Sequence, residues 1–276
     1  MTPAIPSLPA GATDCHFHIF DARFPTAAGR QARASATVAD YLSFHDGLGL
    51  ARGVVVAPST YGHSNECLFE SMERFGSRDF RAVAMPPVDL KTLDWEGWHA
   101  RGVRGLRLYT GHADFPDPVG LQELGSRAAE FGWHLQMVGE QAREPFAEMV
   151  DVLAKLACSI VFDHFGFAPQ PDAARSVTAS ALHRLLDLGR TYVKLSGMYI
   201  QSRRLDNDCD DFDEMAIDLV RRAPGRLLWG SDWPHTLAAT KPDGHRLLQR
   251  LEYWVPALAA RHAILVDNPA SLYWAA

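Results

Sequence analysis

The stretch Arg226-Leu-Leu-Trp-Gly-Ser-Asp-Trp-Pro-His235 decides the fold of this chain. Its residues 227–229 are apolar and β-prone, and the Gly-Ser-Asp-Trp-Pro run that follows prevents a strand from continuing. Asp232 therefore comes directly after a buried strand. A (β/α) barrel presents a catalytic carboxylate in this way, although a lone Asp in such a position more often serves a turn.

The rest of the chain repeats this alternation of a short β-prone run and an amphipathic segment. Strands are predicted near residues 12–21, 53–59, 80–86, 102–109, 133–138, 158–164, 191–196 and 226–231. Helices are predicted near residues 38–48, 65–75, 94–100, 120–130, 143–157, 180–188, 209–222 and 242–258. These units predict one α/β domain over residues 1–276, a (β/α)8 TIM barrel, with the Pro- and Ala-rich residues 1–12 as a surface arm. A doubly wound sheet is the structural alternative, but no Gly-rich phosphate-binding turn follows the first strand.

The composition limits the classes of function. The chain is 47% hydrophobic and 22% charged, as in an ordinary globular protein with a sizeable core. Its net charge of −6 argues against nucleic acid as a partner, because phosphate binding needs a positive surface. Neither a signal peptide nor a membrane span is apparent, so we expect a cytoplasmic enzyme. The four scattered cysteines indicate neither a disulfide framework nor a thiolate metal site.

The first strand carries two histidines that are two residues apart. Because side chains alternate along a strand, we expect Asp14, His16 and His18 on one face, with Cys15 and Phe17 on the other. A single histidine on a strand is usually a core residue. A His-x-His pair flanked by acids more often marks a functional site.

The carboxyl ends of barrel strands meet at one mouth, where the chemistry of such barrels takes place. His164 ends the sixth strand, and Asp232 and His235 follow the eighth. We therefore predict that His16, His18, His164 and Asp232 come together as a metal site or as a general-base site.

Other strands contribute further polar residues. Arg107 and Tyr109 share the inner face of the fourth strand, and Arg107 needs an anionic partner there, either a substrate carboxylate or a structural ion pair. Lys194 lies inside the seventh strand, where an ammonium group is costly unless it is paired, so we expect a carboxylate partner or a structural role. Ser59 ends the second strand and Gln136 lies on the fifth.

Several motifs carry a resemblance to a known family, and it covers nearly the whole chain. They are His16-Phe-His18, Gly53-Val-Val-Val-Ala-Pro-Ser59, Gly102-Val-Arg-Gly-Leu-Arg107, Asp163-His-Phe-Gly166, Val193-Lys-Leu-Ser-Gly197, Trp229-Gly-Ser-Asp-Trp-Pro-His235 and Asn268-Pro-Ala-Ser-Leu-Tyr273. The chain resembles the amidohydrolase superfamily, and within it the branch of pyrone-dicarboxylate and sugar-lactone hydrolases.

The resemblance implies roles for the residues at the mouth. Asp232 would activate water for attack on a lactone carbonyl, while His16, His18 and His164 would polarise that carbonyl or bind a metal. Arg107 would bind a substrate carboxylate. The substrate-binding residues implied or predicted beside it are Ser59, Tyr109, Gln136, His235 and one of Arg203 and Arg204, for which we choose Arg204.

The chain also departs from the pattern of the pyrone-dicarboxylate enzymes. A second arginine that follows the one on strand 4 is missing from the segment Thr110-Gly-His-Ala-Asp-Phe115, and Gln136 replaces a tyrosine. These differences favour a less charged, more hydroxylated substrate, such as a sugar-acid lactone.

Strand 4 lacks the Lys or Glu that bridges two metals in other members of the superfamily, so a two-metal site is not expected. We predict no cofactor, as in the pyrone-dicarboxylate relatives. A single Zn²⁺ or Mn²⁺ held by His16, His18 and Asp232 is the alternative.

The sequence thus predicts a hydrolase that opens a small carboxylated lactone, without nucleic acid or membrane as partner. The alternatives are a mononuclear metal-dependent decarboxylase or amidohydrolase, a sugar-acid lactone isomerase, and a catalytically silent sensor of sugar acids. The oligomeric state is not predicted, and the apolar Leu272, Tyr273 and Trp274 could pack on the barrel or in a dimer.

Overall fold

The computed structural model describes residues 8–139, 145–204 and 209–275, and in this part of the chain eight parallel strands form one sheet in the order β1 to β8. The strands are β1 (Thr13–Phe17), β2 (Arg52–Val56), β3 (Phe80–Ala84), β4 (Val103–Tyr109), β5 (His134–Val138), β6 (Ser159–Phe162), β7 (Thr191–Leu195) and β8 (Leu227–Trp229). Each strand pairs with its neighbour in the sequence. The predicted (β/α)8 barrel is confirmed.

A helix follows each strand. The helices are α1 (Val38–Leu48), α2 (Glu66–Phe75), α3 (Trp95–Ala100), α4 (Pro118–Glu130), α5 (Pro145–Leu153), α6 (Val177–Asp187), α7 (Asp213–Arg222), α8 (Gly244–Trp254) and α9 (Leu258–His262). Helix α1 begins with a capping box between Thr37 and Asp40 and ends at Gly49 in the left-handed region.

Within the described part no helix is long and apolar enough to cross a membrane.

Two apolar layers follow from the alternation of side chains along the strands. The outer layer packs the sheet against the helices and includes Leu106 and Leu108 of β4, as predicted. The inner layer fills the barrel. Its residues are Cys15, Val54, Val56, Val83, Val161, Tyr192, Leu228, Leu272 and Tyr273.

Strand β1 does not alternate as we predicted. Its register against β2 shifts between Asp14 and Phe17. Cys15 consequently belongs to the inner layer, whereas Phe17 belongs to the outer layer and stacks on Tyr41 of α1. Asp14 also faces α1, because its carboxylate accepts a hydrogen bond from the Tyr41 hydroxyl. The irregularity places Asp14 behind the mouth of the barrel while the two histidines face inward.

The barrel closes where β1 meets the segment after β8. The backbone N–H of Asp232 donates to the carbonyl of His16, and that of His18 donates to the carbonyl of Trp233, each over 2.8 Å. The Asp14 carboxylate strengthens this junction by accepting from the backbone N–H and the hydroxyl of Ser231, at 2.9 and 2.5 Å. Burial raises the pKa of Asp14, and these hydrogen bonds oppose that effect.

The C-terminal segment fills the opposite end of the barrel from the mouth. Tyr273 is fully buried in the inner layer, and its ring contacts that of His134 edge-on at a centroid distance of 5.2 Å. Arg81 donates to the Tyr273 carbonyl, and Trp274 donates to the carbonyl of Arg78. Leu272 and Tyr273 are therefore covered by their own barrel.

The predicted surface arm lies mostly in residues 1–7, which are outside the described residues. Ala12, at its end, is fully buried, and its carbonyl accepts from the backbone N–H groups of Ala51 and Arg52. Ala12 is therefore packed against the barrel and is not part of a surface arm.

Tyr273 offers a test of this packing. Among the described residues, its buried hydroxyl has no hydrogen-bond partner, so the ring and not the hydroxyl should stabilise the fold. Tyr273→Ala should lower the free energy of unfolding by about 3–5 kcal/mol. Tyr273→Phe should leave it unchanged or raise it, because it removes an unsatisfied polar group. Chemical denaturation of both variants measures the difference, and equal losses would contradict this assignment.

Candidate active site

A cavity of about 260 Å³ opens at the carboxyl ends of the strands. Six of the predicted site residues line it, namely His18, Ser59, Arg107, Tyr109, His164 and Asp232. His16 lies immediately beneath, fully buried. The structure thus brings together the residues expected at the mouth from strands 1, 2, 4, 6 and 8.

Asp232 lies at the centre of this group. One carboxylate oxygen, Oδ1, is 3.4 Å from His16 Nε2, 3.6 Å from His18 Nε2 and 3.9 Å from His164 Nε2. The other, Oδ2, accepts a hydrogen bond of 2.5 Å from the hydroxyl of Tyr199. Asp232 has a φ of +59°, in the left-handed region that few residues except glycine, Asn and Asp adopt.

The charge state of Asp232 suits a general base. Burial alone would raise the pKa of its carboxyl group. The imidazoles of His164, His16 and His18 and the hydrogen bond from Tyr199 outweigh burial, so the pKa lies below its ordinary value. The carboxylate is therefore ionised at neutral pH and can accept a proton.

The histidines of β1 are neutral at this pH. His18 donates from Nδ1 to the carbonyl of Val56 over 2.7 Å, and burial lowers its pKa to about 4. Burial also holds the pKa of His16 well below its ordinary value, and the ammonium group of Lys194 adds to this effect while Asp163 opposes it. Neutral imidazoles can donate a hydrogen bond from one nitrogen and accept at the other.

Gly230 packs closely against His16, and Gly197 packs closely against His164, so both imidazoles are held in place. A Cβ on Gly230 would lie 2.6 Å from the Cβ of His16, and one on Gly197 would lie 2.3 Å from Nδ1 of His164. The Gly197 backbone also has a φ of +57°, which favours glycine. The Nδ1 atom of His164 is hydrogen-bonded to Ser196 Oγ at 3.0 Å.

A layer of buried charges lies under the histidines. Asp163 is fully buried, and its Oδ2 accepts from Nε and Nη2 of Arg107 at 3.2 and 3.1 Å and from Nε2 of Gln136 at 3.0 Å. Its Oδ1 lies 3.5 Å from the ammonium of Lys194. Burial opposes ionisation of Asp163, but His16, Lys194 and Arg107 hold its pKa well below the ordinary value. The expected carboxylate partner of Lys194 is therefore Asp163.

The same contacts identify the anionic partner of Arg107. Its guanidinium is paired with Asp163 and also donates to the carbonyl of Ala57. Of the two partners considered for Arg107, the structure shows the ion pair, and Arg107 still borders the cavity beside Tyr109.

Three predicted substrate-binding residues lie away from the cavity. Gln136 is fully buried below it, and both ends of its amide already bind Asp163 and Lys194, so we no longer expect a contact with substrate. His235 is buried behind Asp232. Arg204 is exposed and pairs with Asp210, and Arg203 is exposed next to it. Strand periodicity could not place His235 and Arg204, because they lie in irregular loops. For Gln136, on β5, it could not show that the amide is already bound to Asp163 and Lys194.

Two residues at the site were not predicted. Tyr199, in the loop after β7, holds the Asp232 carboxylate. Arg33, in the long loop after β1, is half-buried and lines the cavity, and it makes no hydrogen bond or ion pair with any described residue. The length of that loop was the only signal for Arg33, because long loops at the mouth of a barrel are usually functional.

The nitrogen and oxygen atoms around Asp232 also have the spacing of a ligand set for one cation. His16 Nε2 and His18 Nε2 are 3.2 Å apart, and the ligand atoms of His16, His164 and Asp232 all lie within 4.8 Å of one another. Ligands about 2.0–2.1 Å from a tetrahedral zinc ion are about 3.4 Å apart. The residues present therefore fit a single metal ion by type and by spacing.

The ion pair predicts the effect of replacing Arg107. Arg107→Met should destabilise the fold by about 3 kcal/mol, because it leaves the buried Asp163 with fewer counterions. Denaturant unfolding measures the loss, with Arg203→Met as the matched control at an exposed arginine. Wild-type stability of Arg107→Met would mean that its guanidinium is available to the substrate.

Comparison with known proteins gives the family. A model of the amidohydrolase family matches residues 13–274. The chain is 30% identical to a 2-pyrone-4,6-dicarboxylate hydrolase of Comamonas testosteroni and 30% identical to a 4-sulfomuconolactone hydrolase of Rhizobium radiobacter, each over 97% of this chain and 91% of the relative. It is 28% identical to a D-galactarolactone isomerase of Agrobacterium fabrum, over 97% of this chain and 92% of that one. Because the family model spans nearly the whole chain, this protein belongs to the amidohydrolase family.

Proposed function

We propose that this protein hydrolyses a lactone that carries a carboxylate, using a water molecule activated by Asp232. The observation that carries the proposal is a buried, ionised carboxylate that borders an open cavity and is surrounded by three imidazoles. The relatives support it, since their names include hydrolases of 2-pyrone-4,6-dicarboxylate and of 4-sulfomuconolactone.

The chemistry follows from the arrangement around Asp232. Asp232 takes a proton from water while the water oxygen bonds to the lactone carbonyl carbon. His164, on the cavity wall, stabilises the negative charge that develops on the carbonyl oxygen by donating a hydrogen bond. The carbonyl oxygen also reaches the Nε2–H group of His16, which lies just beneath the cavity. The bond between that carbon and the ring oxygen then breaks, and the leaving oxygen receives the proton from Asp232. Tyr199 keeps the carboxylate oriented throughout.

Arg33 is the residue that we propose binds the substrate carboxylate. Two cationic residues line the cavity among those that the structure describes, and Arg107 is already paired with Asp163. Arg33 is half-buried without a described partner, and a guanidinium in such a position favours an anion. Because Arg33 and Asp232 both line the cavity, we propose that the substrate lies between them.

A metal ion is the alternative to the purely imidazole-based site, and we propose the site without one. If a single Zn²⁺ or Mn²⁺ is bound, His16, His18, His164 and Asp232 would hold it, and it would supply Lewis-acid polarisation of the carbonyl. Lactone turnover before and after exhaustive chelation separates the two cases. Turnover that survives chelation supports the metal-free site, and loss that zinc restores contradicts it.

A lactone isomerase is the second candidate, and the 28% identity to a galactarolactone isomerase favours it. In that reaction a hydroxyl of the substrate would replace water as the nucleophile at the same carbonyl. Analysis of the products with a sugar-acid lactone distinguishes an open-chain acid from a rearranged lactone. The cytoplasmic location expected from the sequence stays a prediction.

Replacing Asp232 tests the general base. Asp232→Asn should lower kcat for lactone hydrolysis by roughly 10³-fold or more, because an amide cannot accept the proton from water. The variant should fold normally, since Asn tolerates a positive φ. The matched control is Asp267→Asn, which alters an exposed carboxylate. Near-normal hydrolysis by Asp232→Asn would refute the mechanism.

Replacing Arg33 tests the carboxylate contact. Arg33→Met should raise KM for a carboxylated lactone about 10- to 100-fold, the equivalent of one hydrogen-bonded charge pair, with little change in kcat. KM for an uncharged lactone should stay as in the wild type. Arg23→Met is the control on the same loop, because Arg23 pairs with Asp21 and Glu70 outside the cavity. A similar rise for both kinds of lactone would show that Arg33 does not bind the carboxylate.

A further inference from the structure

Lys194 is the most deeply buried cation of this protein among the residues described, and the hydrolysis proposed above assigns it no part. Its side chain is 0% exposed. The ammonium group has three N–H donors and no acceptor. Its three neighbours are Gln136 Oε1 at 2.7 Å, His16 Nδ1 at 3.2 Å and Asp163 Oδ1 at 3.5 Å.

The hydrogen bonds around the two histidines of β1 determine where their protons lie. His18 Nδ1 is 2.7 Å from the carbonyl of Val56, and a carbonyl only accepts, so the proton of neutral His18 is on Nδ1. The Nε2 atom of His18 is then an unprotonated acceptor. It lies 3.2 Å from His16 Nε2.

His16 Nε2 therefore has two acceptors beside it, His18 Nε2 and the Asp232 carboxylate oxygen at 3.4 Å. If His16 Nε2 carried no proton, its lone pair would repel the lone pairs of both His18 Nε2 and the Asp232 oxygen. A proton on Nε2 turns both contacts into attractions. In a neutral imidazole this leaves Nδ1 without a proton, and it needs a donor.

Lys194 is that donor. The Asp163 oxygen Oδ1 is also 3.2 Å from His16 Nδ1, but it has no hydrogen bond of acceptable geometry with any residue in the described part of the chain. The Lys194 ammonium does have that geometry with Nδ1. One chain of hydrogen bonds thus runs from Lys194 through His16 and His18 to the backbone of β2.

We infer that Lys194 is a positioning residue, which fixes His16 in the tautomer that presents an Nε2–H group to the reacting carbonyl. This role rests on the proposed hydrolysis only for its effect on turnover. The same tautomer withholds the Nε2 lone pair of His16 from a metal ion. Without Lys194, the proton of His16 would move to Nδ1 and bind Asp163.

The tautomer can be observed without any substrate. Nitrogen NMR of the whole protein labelled with ¹⁵N-histidine distinguishes Nδ1–H from Nε2–H, and His16→Gln identifies the signal of His16. We expect Nε2–H in the wild type and Nδ1–H in Lys194→Met. An Nδ1–H signal in the wild type would overturn the inference, even if Lys194→Met does not fold.

The values of kcat and KM of Lys194 variants distinguish a role in positioning His16 from a general destabilisation of the core. Lys194→Met should lower kcat for the lactone roughly 10²-fold or more, as a wrong histidine tautomer does in other enzymes, while KM stays near its wild-type value. Lys194→Arg keeps an N–H donor and should recover part of the loss. An unchanged kcat, or a lower kcat with His16 still protonated on Nε2, would overturn the inference.

Zinc binding gives an independent measurement. Titration of the metal-free protein should show at least tenfold tighter zinc binding by Lys194→Met than by the wild type, because His16 Nε2 becomes a ligand. Equal affinities would contradict the inference. If no lactone is hydrolysed but the tautomer changes as expected, the proposed function fails and the role of Lys194 stands.

Discussion

The junction between the first strand and the segment after the last holds both the barrel and the active site together. Asp14 binds Ser231 from one side, and the backbones of His16 and His18 bind those of Asp232 and Trp233. Closing the sheet and bringing the carboxylate to the histidines are therefore the same event. A change that opened this junction would therefore also separate Asp232 from the imidazoles.

The buried charges below the site depend on one another in a similar way. Asp163 is shared between Arg107 and Lys194, and Gln136 connects the anion to the ammonium group. None of these groups is exposed enough for water to replace a lost partner. Such a layer contributes little net stability compared with apolar packing, but it holds each polar atom in one place. Catalysis by hydrogen-bond donors requires that kind of fixed orientation.

Local patterns in the sequence were sufficient for the strands, the helices and the residues at the strand ends, because alternation and strand termination are properties of neighbouring residues. The sequence could not show the irregularity in β1, since register depends on the partner strand. The pairing of Arg107 with Asp163 was likewise hidden, because Arg107 lies on β4 and Asp163 directly follows β6, and these strands are not adjacent. Tyr199 and Arg33 come from loops, whose paths no periodic pattern predicts. The C-terminal segment was recognised as apolar, but only the three-dimensional barrel shows the space that Tyr273 fills.

The junction also has a consequence for the order of folding. Seven strand pairings join neighbours along the chain, whereas Asp14 and Ser231 are 217 residues apart. Contacts between distant residues carry the largest loop-closure entropy and form late unless other contacts have already shortened the loop. Closure should therefore follow the seven local pairings, and a refolding molecule should regain its helical circular dichroism before it regains turnover. On this argument, the active site should assemble only after the local strand pairings.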